Sequence, residues 1–167
     1  MRYKLIGKAE ECLNVAEAPC NMLERMHKAI SQLKSEYISA LGLLSNIKYS
    51  ANNKKFNVVE IGTESSERDG LIFSISDIPM SQGNIVHFVL ITALCTRSYA
   101  LKSCFNIDVC MYIKGRAINV ILNKENETMC YTAYEHAGGF GPICDAIIKH
   151  IKLSIDMDLV DYQLWGL

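Results

Sequence analysis

The sequence predicts an α+β fold: antiparallel sheets with packed helices, preceded by a long N-terminal amphipathic helix. Three observations predict it. Apolar residues recur at helical spacing from Cys20 to about Ile47. The stretch from Ile107 to Glu135 reads as three strands separated by turn residues. From Tyr134 to Ile151 the chain passes from a strand through glycines into a second helical pattern. Strands with one packed and one wet face belong to antiparallel sheets, and the helices supply the layer that covers them.

Taken in order, residues 1–19 include an Ala/Glu-rich piece, Lys8–Ala18, expected to be helical and to be interrupted by Pro19, a residue suited to the first turn of the next helix. That next helix carries Met22, Leu23, Met26, Ala29, Ile30, Leu33, Tyr37, Leu41 and Leu44 on one face, with Glu24, Arg25, Lys28, Lys34 and Glu36 largely on the other. Methionines in such a stripe serve either an adaptable groove or an ordinary core. Tyr49–Lys55 is polar and reads as a break. Phe56–Ile61 and Leu71–Ile75 read as a hairpin across Gly62–Gly70. After a loop over Ser76–Gly83, Asn84 suits a helix cap. Ile85–Ser103 is then apolar nearly all round, the pattern of a buried helix, with His87 as a core histidine. The strands Ile107–Lys114, Arg116–Asn123 and Thr128–Glu135 follow, then a helix from Pro142 to about Leu153 and a last strand, Leu159–Leu167. The order suggests two βββα-like units, the first weaker. The chain accordingly divides into a helical segment, residues 1–55, and an α+β domain, residues 56–167, with units 56–105 and 106–167.

Composition narrows the function classes. A chain of 167 residues suits one domain or two small subdomains. Half the residues are hydrophobic, which fits a filled core and an oligomer interface. A net charge of -1 offers no global field for nucleic acid or an acidic membrane, so neither is expected as a partner. No apolar run is long enough for a membrane helix, and the N-terminus has no signal-peptide pattern. The seven cysteines, Cys12, Cys20, Cys95, Cys104, Cys110, Cys130 and Cys144, are odd in number and lack Cys-x-x-Cys spacing. They read as free thiols of a cytoplasmic protein. The same spacing gives no zinc site, and no metal or cofactor is expected.

The candidate site is the glycine turn. Gly138, Gly139 and Gly141, followed by Pro142, join a strand to a helix start whose first N–H groups have no intrahelical partner. Such a pole can hold a carboxylate, or the turn can be a plain connection. In the ligand reading, Gly139, Gly141 and Ile143 are the amide donors. His136 is the nearby polar side chain, Pro142 opens the helix, and Phe140 and Ile143 contact the ligand's apolar part. Enzyme readings find little to build on. His27, His87, His136 and His150 are scattered, a phosphate loop lacks its Gly-Lys-Ser/Thr, and a Rossmann turn would need an earlier βαβ unit.

Several of these segments fall in a familiar order: Ala117-Ile-Asn-Val-Ile-Leu122, the hairpin at Lys124–Glu127, Gly139-Phe-Gly-Pro142, Ala146-Ile-Ile-Lys149 and Leu159-Val-Asp-Tyr-Gln-Leu164. Over roughly the last third of the chain this resembles the C-terminal regulatory domain of the 2-isopropylmalate, citramalate and homocitrate synthase family. The resemblance implies a βββα unit, binding of an end-product amino acid, and dimerisation. Phe140 stands where that family usually has Asp or Asn, and neither the family's catalytic barrel nor its His-x-His metal motif is present. The expectation is therefore a non-catalytic binding domain, sensing a small apolar amino acid and forming a homodimer. The alternative is a cytosolic protein-interaction module, of chaperone, adaptor or immunity type, using the long helix and a sheet edge.

Overall fold

A computed structural model describes the backbone of residues 3–43, 48–64, 71–72, 74–95, 101–124 and 127–154, and side chains over 21–43, 48–63, 74–95, 103–123 and 128–153. Helix α1 spans Tyr3–Ala40 and is continuous through Pro19, so the expected interruption there is absent. Its stripe Met26, Ala29, Ile30, Leu33 and Tyr37 is buried. The helix ends at Ala40 rather than near Ile47 because Gly42 turns left-handed at φ 69°. The Leu43 and Gly42 amides then donate back to the Ile38 and Ser39 carbonyls at 3.1 and 2.9 Å. This double bond closes the helix end with a glycine in the one conformation that other residues resist.

The segment expected as a polar break is a hairpin. Strands β1 (Lys48–Ala51) and β2 (Lys54–Asn57) pair through Asn52 and Asn53, both at positive φ, 49° and 60°. Two asparagines in that conformation make the tight turn whose twist matches a hairpin. Tyr49 stacks on Phe56 across the strands at 5.6 Å. The expected strand Phe56–Ile61 is thus divided: β2 ends at Asn57, and β3 runs Val59–Glu64. Its hairpin partner is β4 (Leu71–Ile72).

The largest departure is at Ile85–Ser103. After a helical turn at Ile75–Asp77 and strand β5 (Met80–Ser81), Asn84 adopts φ 58° in a tight turn and caps no helix. Ile85–Cys95 is strand β6, and Leu101–Lys114 is β7. An uninterrupted apolar run does not distinguish a buried helix from a central strand. Here the β-branched residues Ile85, Val86, Val89, Ile91 and Thr92 favour the strand. The expected first unit therefore contains no α-helix among its described residues, only the short 3-10 turn Ile75–Asp77, and one βββα order remains. It consists of β7, β8 (Ala117–Lys124), β9 (Glu127–Tyr134) and α2 (Gly141–Ser154). The boundary expected between residues 105 and 106 falls inside β7.

The main sheet is antiparallel, in the order β4-β3-β6-β7-β8-β9, with β5 also pairing to β6. Cross-strand register puts Thr92 opposite Phe105, Leu90 opposite Ile107, Val109 opposite Leu122, and Ile118 opposite Ala133. These residues share one face, and all are buried. The Tyr37 hydroxyl meets the Thr92 hydroxyl at 2.8 Å, and the His150 ring approaches the Met129 sulfur at 2.9 Å, so α1 and α2 both lie on that face. One hydrophobic cluster joins α1, the sheet and α2. The strand expected at Leu159–Leu167, with the Leu-x-Asp-Tyr-x-Leu segment of the family resemblance, lies outside the described residues. No helix among the described residues is long and apolar enough to cross a membrane.

Candidate functional site

The glycine turn binds a carboxylate, and the carboxylate belongs to the chain itself. Glu36, on α1, accepts from the Gly138 amide through Oε1 and from the Phe140 amide through Oε2, both at 2.9 Å. Gln32, one turn earlier, donates through Nε2 to Glu36 Oε1 at 2.7 Å and to the His136 carbonyl at 2.6 Å. Arg25 adds an ion pair to Glu135 at 2.9 Å and donates to the Gly115 carbonyl at 3.2 Å. Three side chains of α1 thus stitch the helix to the end of the β-ribbon.

The residues expected as ligand contacts are engaged within the fold. The Gly139 amide donates to the His136 carbonyl at 2.9 Å, Gly141 to Gly138 at 3.1 Å, and Ile143 to Phe140 at 3.0 Å. Phe140 and Ile143 are core residues, 0% and 1% exposed, and so face the sheet rather than a guest. His136 is exposed and stacks on Tyr134 at 6.1 Å, with Nδ1 donating to the Ala137 carbonyl at 3.0 Å. Pro142 is exposed within the first turn of α2. The donors that do meet a carboxylate are Gly138 and Phe140. Gly139 is required for a different reason: a Cβ there would stand 2.1 Å from the Tyr134 carbonyl oxygen. Nothing local in the sequence points to Glu36, which lies on the helix face read as solvated and 102 residues before its nearer partner.

The sheet's other face carries no helix among the described residues. Residues on it alternate with the helix-facing set: His87, Val89, Ile91 and Ala93 on β6; Cys104, Asn106, Asp108, Cys110 and Tyr112 on β7; Asn119, Ile121 and Asn123 on β8; Cys130, Thr132 and Tyr134 on β9, with Ala93 and Cys110 buried. Val89, Ile91, Tyr112 and Ile121 are only half-buried, and Tyr134 is 50% exposed. A cleft of about 360 Å³ opens on this side, with His87, Val89, Asp108, Cys110 and Asn123 among its lining. The face mixes apolar and polar groups: Asp108 lies between Val89 and Asn123, and Cys110 lies between His87 and Ile121.

His87 lies directly opposite Cys110 across β6 and β7, the pairing that a cysteine nucleophile with a histidine base would need. Burial raises the Cys110 thiol above its ordinary value, so it stays protonated near neutrality. A nucleophile needs the reverse shift. Burial also pushes Cys144 up to about 12, helped by the nearby Glu36 and Asp145 carboxylates, and Cys95 up to about 11. Among the described residues no group of three His, Cys, Asp or Glu side chains could hold a metal ion.

No protein-family model, no curated protein and no solved structure matches the chain.

Proposed function

We propose that the chain is a non-catalytic protein-interaction module whose docking surface is the uncovered face of its sheet. The observation that carries this reading is the half-buried apolar patch of Val89, Ile91, Tyr112 and Ile121 on a face with no helix above it among the described residues. A sheet normally buries its apolar residues beneath a second layer. Half-open apolar side chains interleaved with polar ones, as Val89 is with Asp108, suit a protein interface, which on the whole is about as apolar as the rest of a protein surface. The long helix expected, with a sheet edge, to form that surface spends its apolar stripe on the core. The amino-acid-sensing alternative loses its support, because Glu36 fills the pole that would hold the ligand carboxylate.

Affinity capture from native lysate tests the reading. The full chain is expected to retain one stoichiometric protein, and Ile121→Lys is expected to lose it while melting at nearly the same temperature. Retention of the same protein by Ile121→Lys would refute the docking face. A rise in melting temperature with a single standard amino acid would return the sensor reading, since a ligand of the native state stabilises it by mass action.

A further inference from the structure

Strand β9 ends the sheet on one side, and no strand lies beyond it among the described residues. The loop between β7 and β8 has two residues, Gly115 and Arg116, with Lys114 opposite Ala117. In a two-residue hairpin the closing pair exchanges both backbone bonds, and the direction then alternates along the strand. On β8, Ala117, Asn119, Ile121 and Asn123 therefore turn their backbone groups toward β7, and Ile118, Val120 and Leu122 turn theirs toward β9. It follows from the β8–β9 register that Met129, Tyr131 and Ala133 are bonded to β8, while Thr128, Cys130, Thr132 and Tyr134 point outward. The Tyr134 carbonyl is already taken by the His136 amide at 2.8 Å. What remains is an outward set of Thr128, Cys130 and Thr132, centred on Cys130.

Edge strands are commonly protected by charge, proline or a bulge. From Thr128 to Tyr134 there is neither charge nor proline, and the register with β8 is unbroken. We propose that two copies of this chain join here, β9 against β9, antiparallel about a two-fold axis at Cys130, into one continuous sheet. The sequence Thr128-Met-Cys-Tyr-Thr132 is self-complementary in that register. Thr128 faces Thr132 of the second copy, Met129 faces Tyr131, and Cys130 faces Cys130. Threonine pairs and sulfur–aromatic contacts are both favourable across strands, and the Met129 sulfur already accepts from the Tyr131 hydroxyl within one chain at 3.5 Å. Charge selects the register. Centring the axis on Tyr131 would set Glu127 against Glu135 of the copy, whereas centring it on Cys130 sets Glu127 against Ala133. Cys130 is exposed on the uncovered face, so the two thiols meet on the same side as the docking patch and the two patches become neighbours.

The test is light scattering coupled to size exclusion on the full chain at micromolar concentration, read as mass. The wild type is expected to run as a dimer. Thr132→Pro, which deletes an outward N–H and leaves the bonds to β8 in place, is expected to run as a folded monomer; proline is tolerated on edge strands. Should that variant fail to fold, Cys130→Lys serves instead, because it sets two like charges against each other across the axis. A short bismaleimide is expected to link wild type and Cys104→Ser into a dimer and to leave Cys130→Ser unlinked. A monomeric wild type would overturn the proposal, including the case in which other residues of the chain fill the edge. So would a dimer indifferent to Thr132→Pro and Cys130→Lys, or one that links equally well without Cys130. None of these results bears on whether Ile121 holds a partner, so the two readings fail separately.

Discussion

Leu122 and Ile121 are adjacent on β8 and differ in everything that surrounds them. Leu122 is fully buried beneath the helices, opposite Val109 and Met129. Ile121 sits half-open on the uncovered side, between Cys110 and Cys130. The same contrast runs along the sheet: Leu90 against Val89, Val109 against Asp108, Ala133 against Tyr134. One face is a core beneath the helices; the other is half-open at Val89, Ile91, Tyr112 and Ile121 and buried at Ala93 and Cys110. Alternation along a strand says which residues share a face. Only the helices decide which face becomes the core.

The contrast can be broken by truncating each neighbour in turn. Leu122→Ala is expected to cost about 2–5 kcal/mol of unfolding free energy, the range for a fully buried leucine. Ile121→Ala is expected to cost about 1 kcal/mol or less, in line with a half-exposed site. Chemical denaturation reads both, and equal losses would mean that something covers the second face. At the end of the ribbon, Gly139→Ala is expected to destabilise by about 2 kcal/mol or more, since its Cβ meets a backbone oxygen that cannot step aside. Gly141→Ala is expected to be neutral or stabilising by up to about 1 kcal/mol, because nothing lies within 4 Å of its Cβ and alanine suits the helix better.

Glu36→Ala empties the glycine turn of its carboxylate. It is expected to cost about 1–3 kcal/mol through two amides left without their acceptor. Formate is then expected to raise the melting temperature of this variant and not of the wild type. The smallest effect concerns the thiols. Cys104 and Cys130 are expected to alkylate rapidly in the folded chain, and Cys95 and Cys144 only on unfolding. Burial keeps the folded Cys144 protonated up to about 12, whereas the unfolded thiol ionises near 9. The unfolded state therefore binds fewer protons in that window, so stability falls as pH rises from about 9 toward about 12. Cys144→Ala is expected to flatten the slope of stability against pH measured there.

The fold is legible in the sequence wherever period and punctuation agree. The strands β8 and β9 and the helix after Pro142 match their expected ranges to within a residue or two, because Gly115 and the glycine turn mark their ends, whereas β7 ends as expected at Lys114 but begins six residues early, at Leu101. Ile85–Cys95 is not legible as a strand by period alone. With His87 its one charged or strongly polar residue, the apolar run satisfies both templates, and the choice is made by pairing with β3 and β7. The Asn52-Asn53 turn carries a local signal that the polar composition around it hides. The glycine turn is legible as a place with amides to satisfy, yet its partner, Glu36, comes from another element. No local pattern announces a contact spanning the length of the fold.

The face bearing Tyr112, Ile121 and Tyr134 should be open to solvent until a protein covers it. Hydroxyl-radical footprinting of the isolated full chain tests this most directly. Tyr112, Ile121 and Tyr134 are expected to oxidise far faster than Tyr37, Phe140 and Leu122. If Tyr112 and Ile121 prove as protected as Leu122, that face is already covered and the docking surface does not exist.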